Sequence, residues 1–346
     1  MAQRTFADVM GHCDNKEDID CSDKGLTSLL GCPEKVKHFN CSGNQLTSLE
    51  GAPKKVKGDF NCSGNLLQSL QGSPEEIHGD FDCSNNQLTT LDGSPAFVMG
   101  DFSCAGNQLT SLKGELNDST FSGCPEVIEG DFNCSRNKLT SLCGAPHIVG
   151  GDFDCSDNQL TSLCGAPKKI PGDFDCSGNQ LASLDGSPSF VMGDFSCAGN
   201  QLTSLKGSAR EVFGNFDCSR NQLTTLLWAL KKINGIFNCS GNKLTSLKGS
   251  PEEVDDFICS CNHLISLKWS PDKVKGNFDC SSNKLISLDG APKRVKGNFN
   301  CSGNQLSSLE GSMKKVCGDF ICQKNAKRFD DEDVRAMYNV KGVCIL

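Results

Sequence analysis

Cysteine returns in this chain at a fixed step. Cys41, Cys62, Cys83 and Cys104 are each 21 residues apart; Cys134, Cys155, Cys176, Cys197, Cys218 and Cys239 resume the step after one irregularity, and Cys259, Cys280, Cys301 and Cys322 complete the series. With Cys21, fifteen of the 23 cysteines share one register. A period of this length excludes an ordinary set of globular domains, because each unit is a single supersecondary element that buries its apolar face only against the next. The 346 residues therefore read as one repeat array.

A typical unit is FNCSGNQLTSLEGAPKKVKGD, Phe39 to Asp59. In Asp59, Phe60, Asn61, Cys62 and Ser63 the apolar residues alternate, so Phe and Cys point inward from a short parallel strand while Asp, Asn and Ser point outward. A large Phe beside a small Cys fills a narrow core without clashes. The Asn that follows, from Asn44 through Asn325, has a side chain able to satisfy backbone groups at a buried turn. Leu46 and Leu49 fold back into the core, Gly51 and Pro53 turn the outer side, and Val56 closes the loop. The return has no room for a helix and should be extended.

The run Val36 to Leu46, VKHFNCSGNQL, satisfies L-x-x-L-x-L-x-x-N-x-L with Val, Phe and Cys in the first three apolar slots, and resembles a leucine-rich repeat. The short period and the Pro nine residues after the Asn look most like the repeats of bacterial effectors, and Cys-Ser-x-Asn-x-Leu arrays of this kind are similar to those of bacteriophage proteins. The resemblance implies a β-rich, right-handed leucine-rich-repeat solenoid: an arc of about 15 short parallel strands with an extended convex side and short helical caps. The expected organisation is an N-terminal cap over 1–18, a solenoid over 19–325 with an insertion at 115–122, and a C-terminal cap over 326–346. That last cap reads as a helix begun by Asp330 or Asp331, with Phe329, Val334 and Met337 facing the last rung, followed by an edge strand with Cys344 in the Phe slot.

Catalysis needs converging acids, bases or nucleophiles, and the five histidines fall in different units with no repeated Cys or Ser partner. The glycines recur with the repeat and serve turns, so no phosphate loop is indicated. The expectation is a protein that is not an enzyme and uses no cofactor. Metal sites want cysteines two to four apart; only Cys259 and Cys261 approach this, on opposite faces of one strand, so no metal is expected. Neighbouring ladder cysteines would project in parallel one strand apart, poor geometry for a bridge, and read as buried free thiols.

The outward residues carry the functional signal. One column runs Asp59, Asp80, Asp101, Asp131, Asp152, Asp173 and Asp194; a second includes Asp82, Asp154, Asp175, Asp217 and Asp279. Stacked carboxylates make an acidic stripe suited to a protein partner with a basic surface. Ile236 replaces the first-column acid, Ile258 replaces the second-column residue on the next rung, and Trp228 and Trp269 replace the turn Gly. Exposed Trp is typical of a binding hot spot. Asp152, Asp154, Asp173, Asp175, Ile236, Ile258, Trp228 and Trp269 are thus the candidate partner-binding residues.

The net charge of −8, from 34 basic and 42 acidic residues, disfavours nucleic acid and anionic membranes. With no long apolar run and no apolar signal region at the start, a soluble, cytoplasmic protein is expected, in the host cytoplasm if viral. The leading reading is a non-catalytic protein-interaction scaffold, which the phage likeness implies is viral, that binds and modulates a host factor. Two others stand beside it: a structural, virion-associated or adhesion protein, and a cation- or small-ligand-binding protein. The oligomeric state is left open.

Overall fold

A computed structural model describes residues 4–11, 18–114, 123–311 and 313–346. The chain forms two compact units, Met1–Gln180 with Gly186–Pro188, and Leu181–Asp185 with Ser189–Leu346. Both are parallel-strand solenoid segments. In the first, a ladder of short parallel strands runs from Asp18–Asp20 to Phe174–Asp175; in the second, from Phe195–Ser196 to Cys344–Ile345. The step of one repeat sets the register, pairing Phe153 with Phe174 and Asp154 with Asp175, or Phe278 with Phe299 and Asp279 with Asn300.

Alternation along each strand puts Phe and Cys into the core, where Phe60, Cys62, Leu67 and Leu70 are fully buried. Successive Phe rings stack 5.5 Å apart for Phe39 and Phe60, and 5.1 Å and 5° from parallel for Phe195 and Phe216. These separations fall in the favourable range for aromatic pairs. A second large side chain beside each ring would leave it no space, which explains the small Cys. Several thiols also donate to the next rung, as Cys155 Sγ does to the Asp175 carbonyl at 3.3 Å.

The turn Asn ties the rungs together. Asn158 Nδ2 donates to the carbonyls of Cys134, Cys155 and Ser156 at 3.0, 3.2 and 3.1 Å, and its Oδ1 accepts the Leu139 N–H at 3.0 Å. A buried turn would otherwise strand these backbone groups without partners. The carboxamide is the one side chain that offers two donors and an acceptor in this space.

The return is extended, as expected, and it also pairs. Two-residue strands ending in a buried Val or Ile form a second parallel ladder, six-stranded from Lys35–Val36 to Ile148–Val149 and five-stranded from Glu253–Val254 to Asn339–Val340. The anticipated insertion at 115–122 lies outside the described residues. On either side of it, Phe102 pairs with Phe132 and Leu109 N–H reaches Asn137 Oδ1 at 3.0 Å, so the described residues there keep the common register.

Each end is closed by a short helix that supplies an aromatic ring. Phe6, in the helix Phe6–Met10 capped by Thr5, lies 6.5 Å from Phe39. At the other end Asp330 caps the helix Asp331–Met337, and Tyr338 stacks 5.7 Å from Phe320 with its hydroxyl bonded to the Leu309 carbonyl. Burial pushes the Tyr338 hydroxyl pKa up. Phe329 and Val334 are buried, but Met337 is 46% exposed; Tyr338, one residue on, takes the inward place expected for it. Arg335 fixes the helix to the strand Asn339–Val340 and the turn after it, donating to the Val340 and Gly342 carbonyls and to Asp331, and the chain ends in the strand Cys344–Ile345. Cys344 pairs with Phe320 across that strand.

Candidate functional site

The acidic columns have backbone duties. In the first column each side chain accepts the N–H of the same position one rung on: Asp131 Oδ1 from Asp152 at 2.7 Å, and Asp152 Oδ1 from Asp173 at 2.7 Å. Asn does the same work in the second unit, where Asn277 Oδ1 accepts from Asn298 at 2.9 Å. Even His38 takes this role, its Nδ1 accepting the Asp59 N–H at 3.0 Å. The slot demands an acceptor, and a charge is secondary to that. The recurring Gly before this column follows from it: a Cβ at Gly172 would lie 2.0 Å from Asp152 Oδ1.

The second column closes its own turn. Asp154 Oδ1 accepts the Ser156 N–H at 2.9 Å and Asp175 Oδ1 the Ser177 N–H at 2.8 Å, both Asx turns. The structure thus brings Asp152, Asp154, Asp173 and Asp175 together on two adjacent rungs of the first unit, with Asp152 and Asp173 exposed and Asp154 and Asp175 half-buried. Asp152, Asp154 and Asp175 thus each give one oxygen to the backbone, and the four carboxylates together give the face a negative potential.

The remaining candidates lie in the second unit. Ile236 and Ile258 sit half-buried on adjacent rungs of the strand face, Ile258 in register with Asn238 and Asp279. Ile236 N–H still donates to Asn215 Oδ1 at 2.8 Å, but its own side chain has no acceptor to pass on. Trp228 and Trp269 are 69% and 65% exposed and occupy the turn slot with φ of 78° and 73°, the left-handed region that the Gly of other rungs adopts freely. The two tryptophans do not form one patch. Gly249 holds the turn of the rung between them; Trp269 lines an open groove of 510 Å³ with Pro251, Pro271 and Pro292, and Trp228 lines another of 720 Å³ with Phe213 and Leu230.

Sequence reasoning missed Phe213, Phe190 and Met192. Phe213 is 47% and Met192 56% exposed, and the rings of Phe213 and Phe190 are 5.3 Å apart. The signal was present: these residues flank the buried Val of the second ladder, where other rungs carry Lys55, Lys57 or Lys169.

The thiols offer no reactive site in the core. Burial raises the pKa of Cys104 to about 12 and pushes Cys41, Cys83, Cys155 and Cys218 well above the ordinary value. Among the described residues no cysteine is in a disulfide; Cys143, Cys164 and Cys261 are exposed, while Cys259 is buried. Among the described residues no group of three or more His, Cys, Asp or Glu side chains is placed to hold a metal ion, and no helix is long and apolar enough to cross a membrane.

No protein-family model and no curated protein matches the chain. Solved structures do. The leucine-rich effector protein YopM from Yersinia pestis aligns with a TM-score of 0.58 and 20% identity over 98% of this chain and 89% of its own. The leucine-rich-repeat domain of APL1B aligns with a TM-score of 0.53 and 16% identity over 88% of this chain and 86% of its own. That of APL1 reaches 0.50 at 13% identity over 94% and 92%. At such identities the likeness speaks for architecture, and with the ladders described above it establishes the fold of this chain as a leucine-rich-repeat solenoid.

Proposed function

We propose that the chain is a non-catalytic protein-binding scaffold whose strand face receives a partner at Ile236 and Ile258, with the acidic rungs around Asp152, Asp154, Asp173 and Asp175 attracting a basic partner surface. One observation carries the reading: Ile236 and Ile258 stand half-buried on adjacent rungs in columns where most rungs carry side chains that bond the backbone, away from the C-terminal end where Ile321 and Ile345 also enter the second column. Apolar residues that displace such a bond give up local stability, and a binding surface is a reason to keep them. A solenoid also presents side chains on a long regular face, suited to protein partners. The likeness of the Cys-Ser-x-Asn-x-Leu units to bacteriophage arrays gives the finer version: a viral protein, acting in the host cytoplasm, that binds and blocks or recruits a host factor. The Yersinia pestis protein of the same fold is an effector.

The test is affinity capture from host lysate with the native chain and with Ile236→Asp plus Ile258→Asp. Both changes restore residue types that other rungs carry in these columns, so the variant should fold. Loss of a captured partner is expected; retention of every partner overturns the site.

A further inference from the structure

Positive charge gathers on the last rungs of the second ladder in the second unit. The strands Arg294–Val295, Lys315–Val316 and Asn339–Val340 each bury the Val, so alternation turns the residues before and after it outward. Lys293, Arg294 and Lys296 flank Val295, Lys314 and Lys315 precede Val316, and Lys341 follows Val340. Register sets them side by side, with Arg294 opposite Lys315 and Lys315 opposite Asn339. Lys315 is half-buried and the other five cations are exposed.

No carboxylate answers them. Among the described residues none of these six cations takes part in an ion pair. The acids of neighbouring segments are mostly engaged. Asp289 pairs with Lys268 at 3.5 Å, and Asp319 accepts the Val343 N–H at 2.9 Å. In the closing helix Asp331 pairs with Arg335 at 2.7 Å and Asp333 with Lys327 at 3.8 Å, while Asp330 is the cap. Asp272, Glu310 and Glu332 remain around the six cations, none of them at ion-pair distance. One rung earlier the same face is balanced: Glu253 lies opposite Lys273 and pairs with it at 3.6 Å and with Lys275 at 3.1 Å. Like charges directly opposite one another weaken a sheet, so Arg294 beside Lys315 is a local cost that a bound anion would remove.

The cations adjoin an apolar wall. Lys293 lines the 510 Å³ groove with Trp269, Pro271 and Pro292. Its volume is that of a ligand site, and an exposed Trp beside cations suits a ligand with both acidic and aromatic groups. The extent of the charge then selects among anions. Three rungs cover about 10 Å at the usual strand spacing, the length of about three extended residues. Beyond them stand Glu252, Glu253 and Asp255 on one side and the helix acids on the other, in a chain of net charge −8. A nucleic-acid duplex or a membrane surface would run onto those acids, and a short segment would not.

From these features we infer that the three rungs and the adjoining Trp269 groove bind a short acidic segment of a partner protein, a run of Asp or Glu beside one aromatic residue. The inference rests on the reading of the chain as a protein-binding scaffold, but it uses a different surface from the strand face and a partner segment of opposite charge. Arg294, with its forked guanidinium, and the surrounding lysines hold the carboxylates, and the aromatic side chain enters the groove against Trp269.

The probe is a labelled short peptide of Asp and Glu ending in Phe, beside one counterpart with Lys in place of the acids and one with Ser in place of Phe. Anisotropy should show saturable binding of the acidic Phe peptide, weakened about tenfold by Arg294→Glu plus Lys315→Glu and about threefold by Trp269→Gly. Lys54→Glu plus Lys55→Glu, on the matching ladder of the first unit, should leave it unchanged. Both double variants should fold, because Glu75, Glu76, Glu211 and Glu253 already hold these positions on other rungs. In Trp228→Gly, where Trp269 is the one remaining tryptophan, its emission should shift when the peptide binds. Absence of saturable binding, equal binding of the lysine peptide, or an equal loss in the Lys54 and Lys55 variant would overturn the inference. So would indifference to Phe together with unchanged Trp269 emission. Tighter binding of a single-stranded oligonucleotide, lost in the Arg294 and Lys315 variant, would overturn it in favour of a nucleic-acid site. Because the peptide is assayed directly, none of these outcomes bears on capture through Ile236 and Ile258.

Discussion

Asp152 Oδ1 accepts the backbone N–H of Asp173 at 2.7 Å, so a residue that looks like part of a binding stripe also holds two rungs in register. Only an acceptor is required there, and Asn277 and Asn298 provide one elsewhere. Asp152→Asn should therefore leave stability within about 0.5 kcal/mol of the native chain, and Asp152→Ala should lower it by about 1–2 kcal/mol. Urea unfolding measures both, and faster exchange of the Asp173 amide in the alanine variant localises the effect. Equal loss in the two variants would show that charge, not acceptance, matters.

The turn Asn obeys the opposite rule. Asn158 needs its Nδ2 donors as much as its acceptor, and it is 7% exposed. Asn158→Asp would set a carboxylate against the carbonyls of Cys134 and Cys155, and Asn158→Ala would leave them and the Leu139 N–H without partners. Each should lower stability by about 2–4 kcal/mol, with aspartate the worse, in the same urea experiment.

Trp228→Gly and Trp269→Gly should raise stability by about 1 kcal/mol each, because glycine adopts a φ near 75° without strain and both rings are largely exposed. Chemical denaturation reads the gain. A loss would mean that the rings pack against their grooves strongly enough to offset the strain.

Alkaline pH should unfold the chain through its thiols. Burial lifts the Cys104 pKa from 9.0 to about 12, and neighbouring core cysteines shift in the same direction. A folded pKa above the unfolded one means that the stabilising contribution is complete below about pH 9 and is lost as pH climbs through about 12. Within that window each such thiol lowers stability by about 1.4 kcal/mol per pH unit. Unfolding midpoints measured across the window should fall, less steeply in Cys104→Ala. Near neutral pH, thiol titration should find Cys143, Cys164 and Cys261 readily and the buried ladder only after denaturation.

The sequence pattern made the inward positions legible, because alternation over Asp59 to Ser63 and its recurrence every 21 residues depend only on side-chain polarity. It also placed Asn44 and its successors at the turn. It could not show what Asp152 bonds to, since the partner is a backbone N–H that comes within reach only when rungs stack. The second ladder was hidden for a related reason. Two-residue strands such as Lys55–Val56 are too short to show a period, and their pairing follows from the stacking of the first ladder.

The terminal rings of Phe6 and Tyr338 bear on how such a chain changes over time. Leu91 to Gly114 and Leu184 to Gly207 are identical except at Ala96 and Ser189, the mark of copied coding sequence. Copying is tolerable because Phe, Cys and Asn recur with the same packing and turn bonds in most rungs, so a new one meets complementary neighbours among them. The caps escape this exchange: Phe6 and Tyr338 each present a ring to one side only. Length is therefore free to drift by recombination while both ends stay fixed, and a shortened gene lacking one internal repeat should still encode a folded protein.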